Sequence, residues 1–390
     1  MHRGNGRGPG IERGSALGGV PHRRAVDTVK GCDRHPVGLV WRLPCVPVSE
    51  PDPSAILAIA SGYGVSKALL TAVGLGLHTR LAAGPMTCEE IADAFELQPR
   101  PARDFLDLLV SVDMLAREGD GPQALYGNTP ATARFLDRGQ PEYIGGLPEI
   151  WELRDYRFWA DLTEALRTGL PQNEAKHAGT PFFEAMNADP ERLEAFMNAM
   201  NGSSLCNFQA LARAFPFSSY DTLTDIGGAD ALLCREVAAV HPSIRCVSFD
   251  LPPVTRIAER RIATAGLEER IRAVSGDFFV DPWPPAQLIT MGMILHDWNL
   301  ERKQTLIRRA FEALPAGGAL IAIEAFIDDA RRRNSFGLFM SLMMLIEFGD
   351  AFDFTAAEFR QWCSNAGFSR FETIPLEGPS SAVVAYKDPG

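Results

Sequence analysis

From residue 220 onward, short apolar runs alternate with segments whose apolar residues recur every three or four positions. The runs are "TLTDIGG", "IRCVSFD", "IRAVSGDFF", "AQLITMGMIL" and "ALIAIEAFI"; between them lie "ALLCREVAAV", "VTRIAERRIATAG" and "ERKQTLIRRAFEALPAGG". The first pattern predicts strands and the second helices. Strands this apolar are buried on both faces, so the alternation predicts an α/β fold with a mostly parallel, doubly wound sheet. Upstream the texture differs. Residues 55–82 are rich in helix formers, "TCEEIADAF" carries Thr87 and Glu90 in a capping-box pattern, and "RPARDFLDLLVSVDML" is amphipathic. "LAREGDGPQALYGNTP" follows as two short strands around a Gly/Pro turn, which completes a winged-helix arrangement. Residues 141–215 are helical and aromatic-rich, suited to line a substrate cavity or a subunit interface. The chain therefore divides into 1–50, 51–140, 141–215 and 216–390.

Composition narrows the function classes. The chain has 46% hydrophobic and 22% charged residues, as in ordinary globular proteins, and a net charge of −11. That charge argues against a nucleic-acid partner. The winged helix raises a DNA-binding alternative, but Arg100 and Arg103 are offset by Asp104 and Asp107, so its recognition helix is not basic. No uninterrupted apolar run of about 18 residues exists, and no membrane association is expected. Residues 1–50 differ, with a surplus of four positive charges, nine Gly and five Pro, and are expected to be disordered. The seven scattered cysteines show no C-x-x-C and suit a reducing, cytoplasmic setting.

Doubly wound sheets bind ligands beyond the carboxyl ends of their strands, so chemistry is sought there. The first strand ends in "DIGG", where Gly227 and Gly228 let a ligand approach the backbone before a helix begins. Asp250 ends the second strand, at a spacing that suits hydrogen bonds to ribose hydroxyls. Gly276, Asp277 and Phe278 follow the third, offering an acid and an aromatic ring to an adenine. Together they point to an adenosine-containing cofactor. His296, in "LHDW", stands at the fourth strand end, where imidazole can accept a proton from a hydroxyl at neutral pH. No cluster of ligand residues accompanies it in sequence, so no metal is expected.

From about residue 55 to 388 the chain resembles class I S-adenosylmethionine-dependent O-methyltransferases, more narrowly the acetylserotonin and caffeate O-methyltransferase-like group. The resemblance rests on "DIGG", "FDLPPV", "GDFFVDPWP", "ILHDWN", "RRAFEALPAGGALIAIEAFIDD" and "FTAAEFRQWCSNAGF". It implies a winged-helix dimerisation domain at 51–140 and a Rossmann-like catalytic domain at 216–390. It also implies S-adenosyl-L-methionine as cofactor, a homodimer and a small-molecule acceptor, which the Met- and Phe-rich pocket candidates suggest is a flat hydroxylated aromatic. His296 becomes the base, Glu324 the acid that orients it, and Asp353 a second acid. The apolar "FGLFMSLMMLIEF" would help form the acceptor pocket.

Two departures bear on activity. The family pattern D-x-G-G-G-x-G reads D-I-G-G-A-D-A here, and a third glycine that needs positive φ would make Ala229 cost about 1 kcal/mol. Gly292 stands where relatives carry Lys or Arg. Two alternatives follow: a methyltransferase fold with hydroxylase- or decarboxylase-like chemistry, and a non-catalytic dimeric ligand-binding protein. Retention of His296 with Glu324 favours chemistry.

Overall fold

A computed structural model describes residues 51–179, 186 and 188–390; the basic segment 1–50 lies outside them. The described chain begins with α1 (Ser54–Leu75). It continues through β1 (Met86–Thr87), α2 (Cys88–Ala94), α3 (Pro99–Ser111), β2 (Ala116–Glu118) and β3 (Leu125–Gly127). The three strands form a small sheet of order β1-β3-β2, the wing beside the helices. Thr87 does cap α2: its Oγ1 accepts the Glu90 N–H at 3.3 Å, and the Glu90 carboxylate accepts the Thr87 N–H at 2.7 Å. Leu77, Ile91, Leu106, Leu109 and Tyr126 fill this domain's core. On α3, Arg100 and Arg103 pair with Asp104 and Asp107 one turn on, which neutralises the basic face that DNA binding requires.

Helix α1 also bears on membranes. Small residues interrupt its apolar run, yet its mean hydropathy of 1.5 over 22 residues makes it long and apolar enough, by composition, to cross one. Its side chains Ile56, Leu57, Ile59 and Tyr63 are 71%, 61%, 77% and 72% exposed.

Short turns of helix cover residues 146–168, including a π-helical turn at Trp151–Asp155. They lead to the long α4 (Pro190–Ala214), whose first N–H groups are capped by Asp189, with Pro190 at its first position.

The larger sheet comprises β4 (Thr222–Ile226), β5 (Arg245–Asp250), β6 (Ile271–Ser275), β7 (Leu288–Gly292), β8 (Ala319–Glu324), β9 (Arg370–Pro375) and β10 (Ser381–Tyr386). Its order is β6-β5-β4-β7-β8-β10-β9; the first five run parallel, and β10 is antiparallel to both neighbours. Helices α5 (Leu232–Val240), α6 (Pro252–Thr264), α7 (Leu300–Ala313), α8 (Ser335–Phe348) and α9 (Ala356–Ala366) complete the domain. Every residue of β8 is buried, the result expected of an apolar strand covered on both faces. The chain leaves β4 toward β5 on one side and returns to β7 on the other. That reversal opens a crevice at the carboxyl ends of β4, β5 and β7.

Candidate functional site

The crevice is lined first by the loop after β4. Gly227 has φ +67°, and a Cβ there would lie 2.3 Å from Ile294. A Cβ on Gly228 would lie 2.4 Å from Ser248 Oγ, so both positions admit only glycine without movement. Ala229 and Ala231 also adopt positive φ, +49° and +67°. The strain expected of an alanine at the third position is therefore present, and Ala231 doubles it. Asp250 closes the loop: its carboxylate accepts the Ala229 N–H at 2.9 Å and the Leu251 N–H at 2.7 Å. Burial pushes this carboxyl up to about 6, against the pull of those two N–H groups. Asp225 lies deeper, accepts a hydrogen bond from the Thr290 hydroxyl at 2.6 Å, and is pushed by burial up to about 7.

Asp277 and Phe278 border the same cavity, with the Phe278 ring edge-on to Trp298 at 6.0 Å. Gly276 does not border it. A Cβ at 276 would lie 2.5 Å from the Phe249 ring, so this glycine serves packing beneath the site.

His296 sits in a 3₁₀ turn just past β7, buried, and borders the cavity. Its Nδ1 faces two carboxylates, Asp353 Oδ1 at 3.4 Å and Glu324 Oε2 at 4.0 Å. The order reverses what the sequence suggested, since Asp353 is the nearer acid. The reason is local: Glu324 Oε1 accepts the Leu295 N–H at 3.0 Å, so this carboxylate is engaged in holding the turn that carries the histidine. Both acids stand behind the imidazole, away from the cavity lining. His296, Glu324 and Asp353 bring donor atoms within 4.8 Å of one another. The expectation that no ligand cluster accompanies the histidine is corrected to that extent, because positions 296, 324 and 353 meet only through the fold.

Two charged neighbours were not legible as site residues. Asp297 Oδ1 lies 3.2 Å from His296 Nε2. Lys303, on an otherwise surface-like amphipathic helix, is fully buried; its Nζ donates to the Trp298 carbonyl and lies 3.7 Å over the Phe352 ring. Burial pulls this ammonium down to about 8, although Glu324, Asp353 and Asp297 oppose the change. Burial likewise pulls the imidazole down, but Asp297, Glu324 and Asp353 outweigh it and hold His296 up at about 10.

The cavity spans about 1490 Å³ and runs from these strand ends to α4 and α8. Phe336, Met340, Met343 and Met344 of α8 and Met197, Met200 and Phe208 of α4 line it. A Cβ on Gly292 would stand 3.0 Å from the Phe208 ring, so Phe208 packs directly against this glycine. One wall is polar: Arg154 donates to Asp155 at 2.5 Å and to both oxygens of Glu347 at 2.7 and 2.5 Å, and also pairs with Glu174. These partners are nearly 200 residues apart in part, beyond any sequence pattern.

Comparison with known proteins agrees with this architecture. Residues 159–369 match the family model of an O-methyltransferase domain, and residues 57–138 that of an O-methyltransferase dimerisation domain. The chain is 36% identical to the tetracenomycin polyketide synthesis 8-O-methyl transferase TcmO of Streptomyces glaucescens, over 86% of this chain and 97% of that protein. It is 35% identical to the N,N-dimethyltransferase OxyT of Streptomyces rimosus, over 83% of this chain and 92% of that one. Among solved structures it is similar to human N-acetylserotonin methyltransferase in complex with S-adenosylmethionine, with a TM-score of 0.79 and 28% identity. That match covers 87% of this chain and 99% of the human one.

Proposed function

The chain belongs to the S-adenosylmethionine-dependent O-methyltransferases, and from that premise we propose that it methylates a phenolic hydroxyl of a flat aromatic acceptor with His296 as general base. The residues at the strand ends fit the methyl donor. Gly227, Gly228 and Asp250 line the cavity, and Asp250 keeps lone pairs for ribose hydroxyls beyond its two backbone bonds. Asp277 and Phe278 would meet the adenine. S-adenosylmethionine supplies, when bound, an electrophilic sulfonium methyl.

The protein's own part is to hold the acceptor oxygen in line and to take its proton. One observation carries the assignment: a buried imidazole borders the cavity, with carboxylates behind its Nδ1. Such a pair orients the ring through Nδ1 and stabilises the imidazolium formed when Nε2, which Asp297 Oδ1 also approaches at 3.2 Å, takes the proton. Glu324 and Asp353 thus act as positioning residues. The methionines of α8 and α4 offer polarisable walls to a flat ring.

The test has two stages. Calorimetric titration is expected to give a sub-millimolar Kd for S-adenosylmethionine. Methyl-labelled cofactor is then expected to transfer label to hydroxyls in a panel of phenols, naphthols and aromatic amines. Absence of cofactor binding, or label on amines alone, would overturn the reading; the name of the second relative makes that second outcome a real competitor.

The match to a dimerisation domain supports a homodimer in which a second copy covers the exposed face of α1. Replacing both Ile56 and Ile59 by Asp is expected to convert the dimer to a monomer in light scattering; a variant of unchanged mass would remove α1 from the interface.

A further inference from the structure

The loop between β4 and α5 holds a conformation that its sequence resists. Gly227, Ala229 and Ala231 all have positive φ, at +67°, +49° and +67°. Glycine reaches this region without steric cost, whereas an alanine Cβ crowds its own carbonyl oxygen. Two alanines one residue apart therefore need something outside the loop to keep them there.

Asp230 lies between them, and its side chain has no exposed surface. Its carboxylate is held by three helices at once. Asn201 Nδ2, from α4, donates to Oδ2 at 2.5 Å. Arg235 Nη2, from α5, lies 3.3 Å from Oδ2, and Arg261 Nε, from α6, lies 3.7 Å from it. The side chain does not cap α5: that helix takes Ala231 as its N-cap residue, with no side-chain cap bond. A buried carboxylate is costly to desolvate and is tolerated where partners compensate it. Here the partners come from three separate helices. Asn201 and Ala229 also line the cavity, so the hold on the loop reaches the wall of the reaction chamber.

We propose that Asp230 is a positioning residue that clamps the cofactor loop in a glycine-like conformation against the preference of Ala229 and Ala231. The clamp is anchored to α4 through Asn201 and to α5 and α6 through Arg235 and Arg261. The chain thereby keeps the backbone geometry of a glycine-rich loop at two positions that lack glycine. The functional consequence rests on assigning the methyl donor to this loop; the conformational claim does not.

Two measurements on the full chain separate those levels. Amide hydrogen exchange of residues 225–235, without ligand, reads the loop itself, and Asp230→Ala is expected to speed exchange there at least tenfold. Calorimetry with S-adenosylmethionine reads the consequence, and the same variant is expected to bind at least tenfold more weakly. Asp230→Asn, which keeps an acceptor for Asn201 but no charge, is expected to lose less in both and guards against a variant that fails to fold. The decisive variant adds Ala229→Gly and Ala231→Gly to Asp230→Ala. Relieving the strain is expected to return cofactor affinity to within about threefold of the parent, which a general loss of stability would not do. Exchange in Asp230→Ala equal to that of the parent overturns the clamp, as does a folded triple variant that remains as weak as Asp230→Ala. A parent chain that binds no cofactor would instead defeat the site assignment, while the exchange result still decides the clamp.

Discussion

Replacing His296 with Ala is expected to lower the turnover of methyl transfer by about 10²- to 10⁴-fold, the range typical of losing a positioned general base. Cofactor affinity is expected to stay nearly unchanged. The two effects separate because the imidazole contacts carboxylates, whereas the proposed donor contacts belong to the strand ends at Gly227, Gly228, Asp250 and Asp277. Single-turnover transfer of labelled methyl measures the first effect and calorimetry the second. The variant also strips the buried Glu324 and Asp353 and the part-buried Asp297 of a shared cationic partner, so its melting temperature must accompany the rate. A neutral amine acceptor brings its own lone pair and needs no base for attack. A histidine-free variant that still methylates an amine at the parent rate would therefore mark the chemistry as N-directed. Unchanged turnover on a phenol would remove His296 from the role altogether.

What the sequence disclosed about this site follows a physical boundary. Strand ends were legible because alternating apolar runs and amphipathic segments locate the carboxyl edge of a parallel sheet without any coordinate. Gly227, Gly228, Asp250 and His296 all lie there. Gly276 shows the limit: a glycine signals close approach but not what approaches, and here it is the Phe249 ring. The order of the two acids behind His296 was equally hidden. It depends on which carboxylate the Leu295 N–H captures, a matter of ångströms that spacing cannot carry. Lys303 and Asp230 were missed for a common reason. Each is a charged residue that reads as solvent-facing, and each is fully buried because its partners come from distant segments. The alanines of the loop were legible as a problem, and their positive φ was conditional on geometry that only the fold supplied.

Raising the pH from 7 to 9 is expected to increase kcat/KM roughly tenfold or more, because a base is active only in its deprotonated form. The sign follows from the surroundings of His296. Burial pulls its pKa down, yet Asp297, Glu324 and Asp353 prevail and hold the imidazole at about 10. At neutral pH it therefore carries its proton, and the active fraction grows as the pH rises toward the titration of the group. The carboxylates share this titration: burial pushes Glu324 to about 8 and Asp297 to about 6, with His296 pulling each back. The group consequently titrates as a unit, with Lys303, held near 8 chiefly by burial, as its nearby cation. Such a base also suits its acceptor, because an unperturbed phenol loses its proton near 10 and the transfer is then close to thermoneutral. Asp297→Asn removes the carboxylate that contributes most to raising His296 and that lies 3.2 Å from Nε2. In that variant the rising limb is expected to move to lower pH, and kcat/KM at pH 7 to increase. A pH profile of kcat/KM for the parent and Asp297→Asn, on one phenol under saturating cofactor, measures both. A flat parent profile between pH 7 and 9, or a limb displaced to higher pH in the variant, would show that the carboxylates do not set the basicity of His296.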